Sequence, residues 1–182
     1  WTSTTYATYS PYVWSVTMNR GIVSGRKKND TGCLWPVRTV SPAGLLLEKT
    51  GQNNCYNTSG VIIPCAGTGQ DGDLQRGVTW PNPRFTDNNN QTLTDNMTGL
   101  IWSKDGQTPG PSVCTPRIAK THQEALDFIQ CLNSNKFLGR DNWRLPNRNE
   151  LASMVNRGQA NTAIWLENSG FRNIGTYRYW SS

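Results

Sequence analysis

Five cysteines and one histidine bound the chemistry open to this 182-residue chain. Thiolates and imidazoles hold zinc when closely spaced. No Cys-x-x-Cys occurs, however, and His122 cannot complete a tetrahedral site with cysteines at these separations. Cys-x-x-Cys-His is also absent, which argues against covalent haem. The spacings suit disulfides better. Cys55 and Cys65 flank the polar turn Asn57-Thr58-Ser59-Gly60 and can face each other across a small hairpin, a closure contributing about 2–3 kcal/mol. Cys114, in a proline-rich loop, and Cys131, on the helix that follows, make a loop-to-helix bridge plausible. Cys33 is left over, either buried beside Trp35 or bonded to another copy of the chain. Such usage points to an oxidising compartment, outside the cell or on its surface.

Two further groups of side chains could bind something. Asp87, Asn88, Asn90 and Asp95 are oxygen donors that would suit calcium, the one cofactor the sequence raises. The same residues also tolerate hairpin-turn conformations, and the Gly and closing Glu of an EF-hand loop are missing. The second group is basic and aromatic: Tyr6, Tyr9, Tyr12, Arg20, Arg26, Lys27 and Lys28, with Tyr177 and Tyr179 near the other end. The first 40 residues hold five basic residues against Asp30, or +4 of the formal +6. A cluster of this kind suits sulfated or carboxylated glycans or an acidic subunit; a solvated hairpin face is the alternative. Nucleic acid fits poorly with an oxidising compartment. No nucleophile, base and orienting group can be assembled around one histidine, and no glycine-rich phosphate loop precedes a helix, so catalysis is not expected.

Short elements must carry these residues. Tyr12–Met18 alternates so that Trp14, Val16 and Met18 share a face, Asn19-Arg20-Gly21 turns, and Ile22-Val23 begins a return strand. Residues 84–87 and 92–95 read as strands around Asn88-Asn89-Asn90-Gln91, with Leu100-Ile101-Trp102 as the next. Thr121 and Glu124 form a capping box ahead of the stripe Ala125, Leu126, Ile129 and Leu132, with His122 solvent-facing in the first turn. A second box, Asn147 with Glu150, opens a short helix with Leu151, Met154 and Val155 on one face that closes near Gly158. Pro146 holds Leu145 extended before it, and Trp143 and Leu145 anchor the entry. Residues 161–166 form a short apolar turn, and Tyr177-Arg178-Tyr179-Trp180 opens a strand. Pro42-Ala43-Gly44 breaks the chain, after which Leu45-Leu46-Leu47 should dock rather than float. With mean hydropathy −0.62, 8 Trp, 17 Gly and 10 Pro, the balance suits an extracellular, loop-rich, β-containing domain. No apolar run is long enough to span a membrane, and no signal peptide is visible.

A set of motifs distributed along nearly the whole chain carries a family resemblance. They are Thr50-Gly51-Gln52, Cys55-Tyr56, Thr68-Gly69-Gln70-Asp71-Gly72, Trp80 through Asn88, Thr94-Asp95-Asn96, Thr98-Gly99-Leu100-Ile101-Trp102, Gln123 through Phe128, Asp141 through Leu151, and Tyr179-Trp180-Ser181-Ser182. Together they resemble the C-terminal domain family of bacterial collagen-like adhesins, itself similar to C-type-lectin and formylglycine-generating-enzyme folds. The resemblance implies an α+β, C-type-lectin-like domain with many short antiparallel strands and hairpins plus two short helices. The family pattern continues beyond Tyr-Trp-Ser-Ser to a terminal Trp-Pro-Val-Arg. Here Trp1-Thr2-Ser3-Thr4-Thr5-Tyr6-Ala7 reads as that continuation and Trp35-Pro36-Val37-Arg38 as that terminus. Residues 1–40 therefore look like the C-terminal hairpin and closing strand of one copy, and 41–182 like the body of the next, in a tandem or inter-copy-completed arrangement. Trp1-Thr2-Ser3 and Trp180-Ser181-Ser182 stand 179 residues apart; a single circularly permuted domain is the alternative. Formylglycine-type chemistry needs paired active-site thiols or a copper-binding pair, and none is present apart from the expected disulfides. The implied function is a non-enzymatic repeating unit of a surface fibre, partnered head-to-tail by other copies. The alternative is a lectin-like module for anionic or sulfated glycans.

Overall fold

The computed structural model describes residues 2–19, 21–34, 36–37, 47–107, 109–116, 120–175 and 178–182. Its architecture is α+β, divided into two compact units: Trp1–Trp80 with Val155–Thr162, and Pro81–Met154 with Ala163–Ser182. The main division thus falls at residues 80/81.

The first unit opens with an antiparallel hairpin, β1 (Tyr12–Thr17) and β2 (Ile22–Lys27), in the register Tyr12↔Lys27 through Thr17↔Ile22. Alternation and a turn containing Gly21 at φ +61° specify it. Thr2–Thr5 lies alongside β1: Trp14 N–H donates to the Thr4 carbonyl at 3.0 Å, and Thr5 bridges Val13. Trp14 is half-buried, while Val16 and Met18 farther along the strand are exposed, Met18 at 71 %. β3 (Cys55–Tyr56) pairs with β4 (Ile62–Ile63), and the Cys55–Cys65 disulfide closes this ribbon. A one-turn helix, α1 (Asp71–Leu74), follows, with Asp71 and Asp73 complementing its N-terminus. Gly72 packs so close to the chain that an added Cβ would lie 2.6 Å from the Asn54 carbonyl oxygen. Glu48 bridges Val78 in parallel, so the end of the Leu45-Leu46-Leu47 run does dock by its backbone. The Leu47 side chain is exposed. Leu45 and Leu46 lie outside the described residues. Residues 155–162 join this unit, with Arg157 N–H donating to the Thr50 carbonyl at 2.8 Å.

The second unit is built on a three-stranded antiparallel sheet, β5 (Phe85–Asp87), β6 (Thr92–Asp95) and β7 (Ile101–Ser103), in that order. Its core is Phe85, Leu93, Met154, Leu166 and Phe171, flanked by Trp102, Trp165 and Ile174. Phe85 and Phe171 meet edge to face with centroids 5.0 Å apart. Each such side chain, fully buried, contributes roughly 1.5–3 kcal/mol. Beside the core, buried Arg84 pairs with Asp95 through two contacts of 3.2 Å, and Asp95 also accepts from Met97 N–H and the Thr98 hydroxyl. A buried carboxylate with this many donors holds its turn in one conformation.

Three helices complete the unit: α2 (His122–Ser134), α3 (Arg148–Ser153) and α4 (Thr162–Asn168), whose first residue is counted with the other unit. Both capping boxes are present, Thr121 with Glu124 and Asn147 with Glu150. With α1, the described residues hold four α-helices rather than the expected two. Both extra helices are a turn or two long, below the length at which periodicity distinguishes a helix from a loop. Ala125 and Leu132 of the expected stripe are buried, but Leu126 is 39 % exposed. α3 ends at Ser153, short of Gly158, with Met154 as its C-cap and part of the core. The expected strand at 177–180 does not form over 178–180; Tyr177 lies outside the described residues. The Cys114–Cys131 disulfide ties the loop before α2 to that helix.

Candidate functional site

The basic and aromatic residues singled out in the sequence divide into groups with different surroundings. Tyr6 and Trp14 stack at 4.5 Å, and the Arg157 guanidinium lies over the Trp14 ring at 4.6 Å. Burial lowers the Arg157 pKa. These side chains brace the base of the hairpin. Tyr9 and Tyr12 form a second pair with centroids 4.8 Å apart, and Tyr9 is exposed.

Tyr12, Arg26 and Lys27 come together at one shallow hollow of about 470 Å³, completed by Ser24, Gly25 and Asp30. The antiparallel register sets Tyr12 opposite Lys27 and Val13 opposite Arg26. Two exposed cations and a phenol ring around an open polar hollow can hold an anionic group by charge and a sugar face by stacking. Gly25 is what leaves Tyr6 its place: a Cβ there would stand 2.7 Å from the Tyr6 ring.

Lys28 is not part of this hollow. Its ammonium donates to the Tyr56 carbonyl at 2.9 Å and lies 5.5 Å from the Tyr56 ring centroid, and burial lowers its pKa. Lys28 therefore fastens the hairpin to β3. Tyr179 belongs to the second unit, where its hydroxyl accepts from Gly175 N–H and burial raises its pKa. Arg20 and Tyr177 lie outside the described residues.

The four oxygen donors considered for calcium sit at different places along the β5–β6 ribbon. Asp87 faces Leu93 and Asp95 faces Phe85 in the register. Their oxygens already serve protein donors. Asp87 takes the Lys104 ammonium and Asn89 N–H, which hold its pKa below the usual range; the Asn88 oxygen accepts from the Thr94 hydroxyl while its amide nitrogen donates to Thr92 and Thr94; Asn90 accepts from Thr92; and Asp95 pairs with Arg84. Turn chemistry accounts for all four side chains. Among the described residues no group of three or more His, Cys, Asp or Glu is arranged to hold a metal ion. His122 is exposed and packs edge-on against Trp180 at 5.5 Å. Cys33 belongs to neither disulfide and is exposed.

A further set of residues does structural recognition. Thr5 N–H donates to Gln52 Oε1 at 2.6 Å and Gln52 Nε2 donates to the Thr5 carbonyl at 3.0 Å, so one side-chain amide takes the place of a neighbouring strand. Gln70 does the same for Tyr56, at 3.1 and 2.9 Å, and its Oε1 also accepts from the Thr5 hydroxyl. Asp71 accepts from the Thr4 hydroxyl at 2.9 Å and from the Thr50 hydroxyl, while its N–H donates to the Ser3 carbonyl. Thr5 and Gln52 are 1 % and 3 % exposed. The signal available in the sequence was the doubled Thr-Gly-Gln at 50–52 and 68–70.

A family model described as the Lcl C-terminal domain matches residues 91–182. No curated protein and no solved structure matches the chain.

Proposed function

Because the chain belongs to the Lcl C-terminal domain family, we propose that it is a non-enzymatic module of an extracellular or cell-surface assembly, repeated head-to-tail and lectin-like in fold. Membership is consistent with a surface-associated module, and two disulfides are compatible with an extracellular location. No helix among the described residues is long and apolar enough to cross a membrane. The observation that carries the reading is the way residues 2–28 are attached. They are held on residues 50–72 and 157–160 by polar contacts, with Gln52, Gln70 and Asp71 on Ser3–Thr5 and the Arg157 guanidinium over the Trp14 ring, more than by a buried apolar core. The recurrence of Trp-Thr-Ser and Trp-Ser-Ser 179 residues apart supports a repeating unit. Electron microscopy of the native material tests it: linear arrays are expected, and isolated single particles at all concentrations would overturn the reading.

The hollow at Tyr12, Arg26 and Lys27 favours a second role, adhesion to anionic or sulfated polysaccharide. Arg26→Ala with Lys27→Ala should weaken retention on a heparin-like polymer about as much as raised salt does. Lys28→Ala should leave retention nearly unchanged, because its ammonium is engaged by the Tyr56 carbonyl. Equal retention of the wild-type chain and the double variant at low salt would reject the role.

A further inference from the structure

Gln52, Gln70 and Asp71 grip Ser3, Thr4 and Thr5, the strand that leads into the hairpin, through polar groups alone. Among the described residues of the first unit the buried side chains are Thr5, Gln52, Cys55, Asp71 and Asn156, of which only Cys55 is apolar. The hairpin and its leading strand are therefore held by hydrogen bonds, each contributing about 0.5–1.5 kcal/mol net, and by the Arg157 guanidinium over the Trp14 ring. Ser10 to the Gly60 carbonyl at 2.8 Å, Thr8 to the Ala160 carbonyl at 3.0 Å and Lys28 to Tyr56 complete the attachment. A two-stranded hairpin is marginal by itself and must dock somewhere. Residues 29–34, 36, 37 and 47 are all exposed, Val37 at 97 %. The stretch from Lys28 to Glu48 could extend by roughly 60 Å. Its length permits the hairpin to reach a different body.

We propose that Gln52, Gln70 and Asp71 form a docking site for a hydroxyl-bearing strand, and that a second copy of this chain can supply that strand, residues 2–28 exchanging between copies. The site reads its guest as strand addition does, through main-chain groups, here with two hydroxyls adding register: Thr4 to Asp71 and Thr5 to Gln70. An identical chain presents identical partners, so exchange replaces each contact with its equivalent and leaves only the cost of association. Exposed Val16, Met18, Ile22 and Val23 at the hairpin tip add apolar surface that two copies can cover. This mode deepens the reading of the chain as a self-associating module and rests on it.

Thr8→Cys with Ala160→Cys, in the full chain carrying Cys33→Ser, tests the exchange. After refolding and oxidation at two concentrations, non-reducing electrophoresis with peptide mapping should show bonds between residues 8 and 160 of different chains. The ratio of dimer to monomer should rise about tenfold for a tenfold rise in free chain. Bonds formed only within one chain at every concentration would overturn the proposal. As a second measurement, two differently tagged wild-type chains are unfolded, mixed and refolded. Mixed species that disappear with Gln52→Ala and Gln70→Ala support exchange; no mixed species, or mixed species indifferent to those changes, reject it. Filaments whose 8–160 bonds are all intrachain would retain the fibre reading and reject this mode alone.

Discussion

Three primary amides stand in for missing strands. Gln52 pairs both backbone groups of Thr5, Gln70 those of Tyr56, and Asn133 those of Trp143, the last at 2.7 and 2.9 Å. A chain rich in loops leaves backbone groups without ladder partners, and a side-chain amide carries the matching donor and acceptor. Gln52→Ala strands the buried Thr5 N–H and carbonyl and should cost about 1–3 kcal/mol in urea denaturation. An unchanged midpoint would show that the Thr5 groups find other partners. Glu150 is a different case, half-buried and paired in a fork with exposed Arg144 at 2.7 Å twice, while Asn147 N–H also bonds it. These contacts hold its pKa at about 2, the Arg144 hydrogen bond contributing most. With the folded value below the unfolded one, the stabilisation is complete above the usual carboxylate range near 4.5 and is lost as pH falls toward about 2. Carbon-detected titration of Glu150 should give that low midpoint, and Arg144→Met should return it toward the ordinary value. An unmoved midpoint would assign the shift to the helix entry instead.

At the scale of elements, short helices and ribbons are held by covalent and capping devices more than by buried area. α2 has a capping box at one end and the Cys114–Cys131 bridge along it, with only Ala125 and Leu132 buried. Thr121→Ala should cost about 1 kcal/mol by loss of the bond to Glu124 N–H, read as reduced amide protection in the first turn with the rest of α2 preserved. The β3–β4 ribbon is only two residues per strand, so the ten-residue separation of Cys55 and Cys65 matters more to it than its ladder. Cys55→Ser with Cys65→Ser should lower stability by about 2–3 kcal/mol. Peptide mapping of wild-type protein without reductant should recover the pair bonded; recovery of both as free thiols would contradict the structure.

For the molecule as a whole, the contrast is between a unit with an aromatic core and one assembled from polar pairs. The second unit buries Phe85, Leu93, Met154, Leu166 and Phe171, whereas the first has Cys55 as its only buried apolar side chain among the described residues. Local opening should follow this difference, with hydrogen exchange faster over 2–28 than over β5–β7. A protease specific for leucine should cut first at exposed Leu34 or Leu47. The released N-terminal fragment should co-elute with the remainder on gel filtration until moderate denaturant is added. Prompt separation in buffer alone would show that the polar pairs do not hold the hairpin without its covalent connection.

Local chemistry made much of this legible in advance. The two capping boxes, the Tyr12–Lys27 hairpin, the strands around Asn88–Gln91 and the flanking positions of Cys55 and Cys65 are set by residues a few places apart, and short-range sterics and hydrogen bonding act over that range. The family pattern was legible for the same reason, as a series of local motifs. What only the tertiary structure decided is how those pieces use one another. Tyr12, Arg26 and Lys27 share a hollow because the antiparallel register brings them together, and Lys28 turns to Tyr56 because β3 offers a carbonyl there. Asp95 was a free oxygen donor on paper and is an ion-pair partner in the fold, because Arg84 lies across the ribbon from it. Gln52 and Gln70 carried no chemical signal, since an amide means nothing until the backbone it imitates, 47 and 14 residues away, is brought against it.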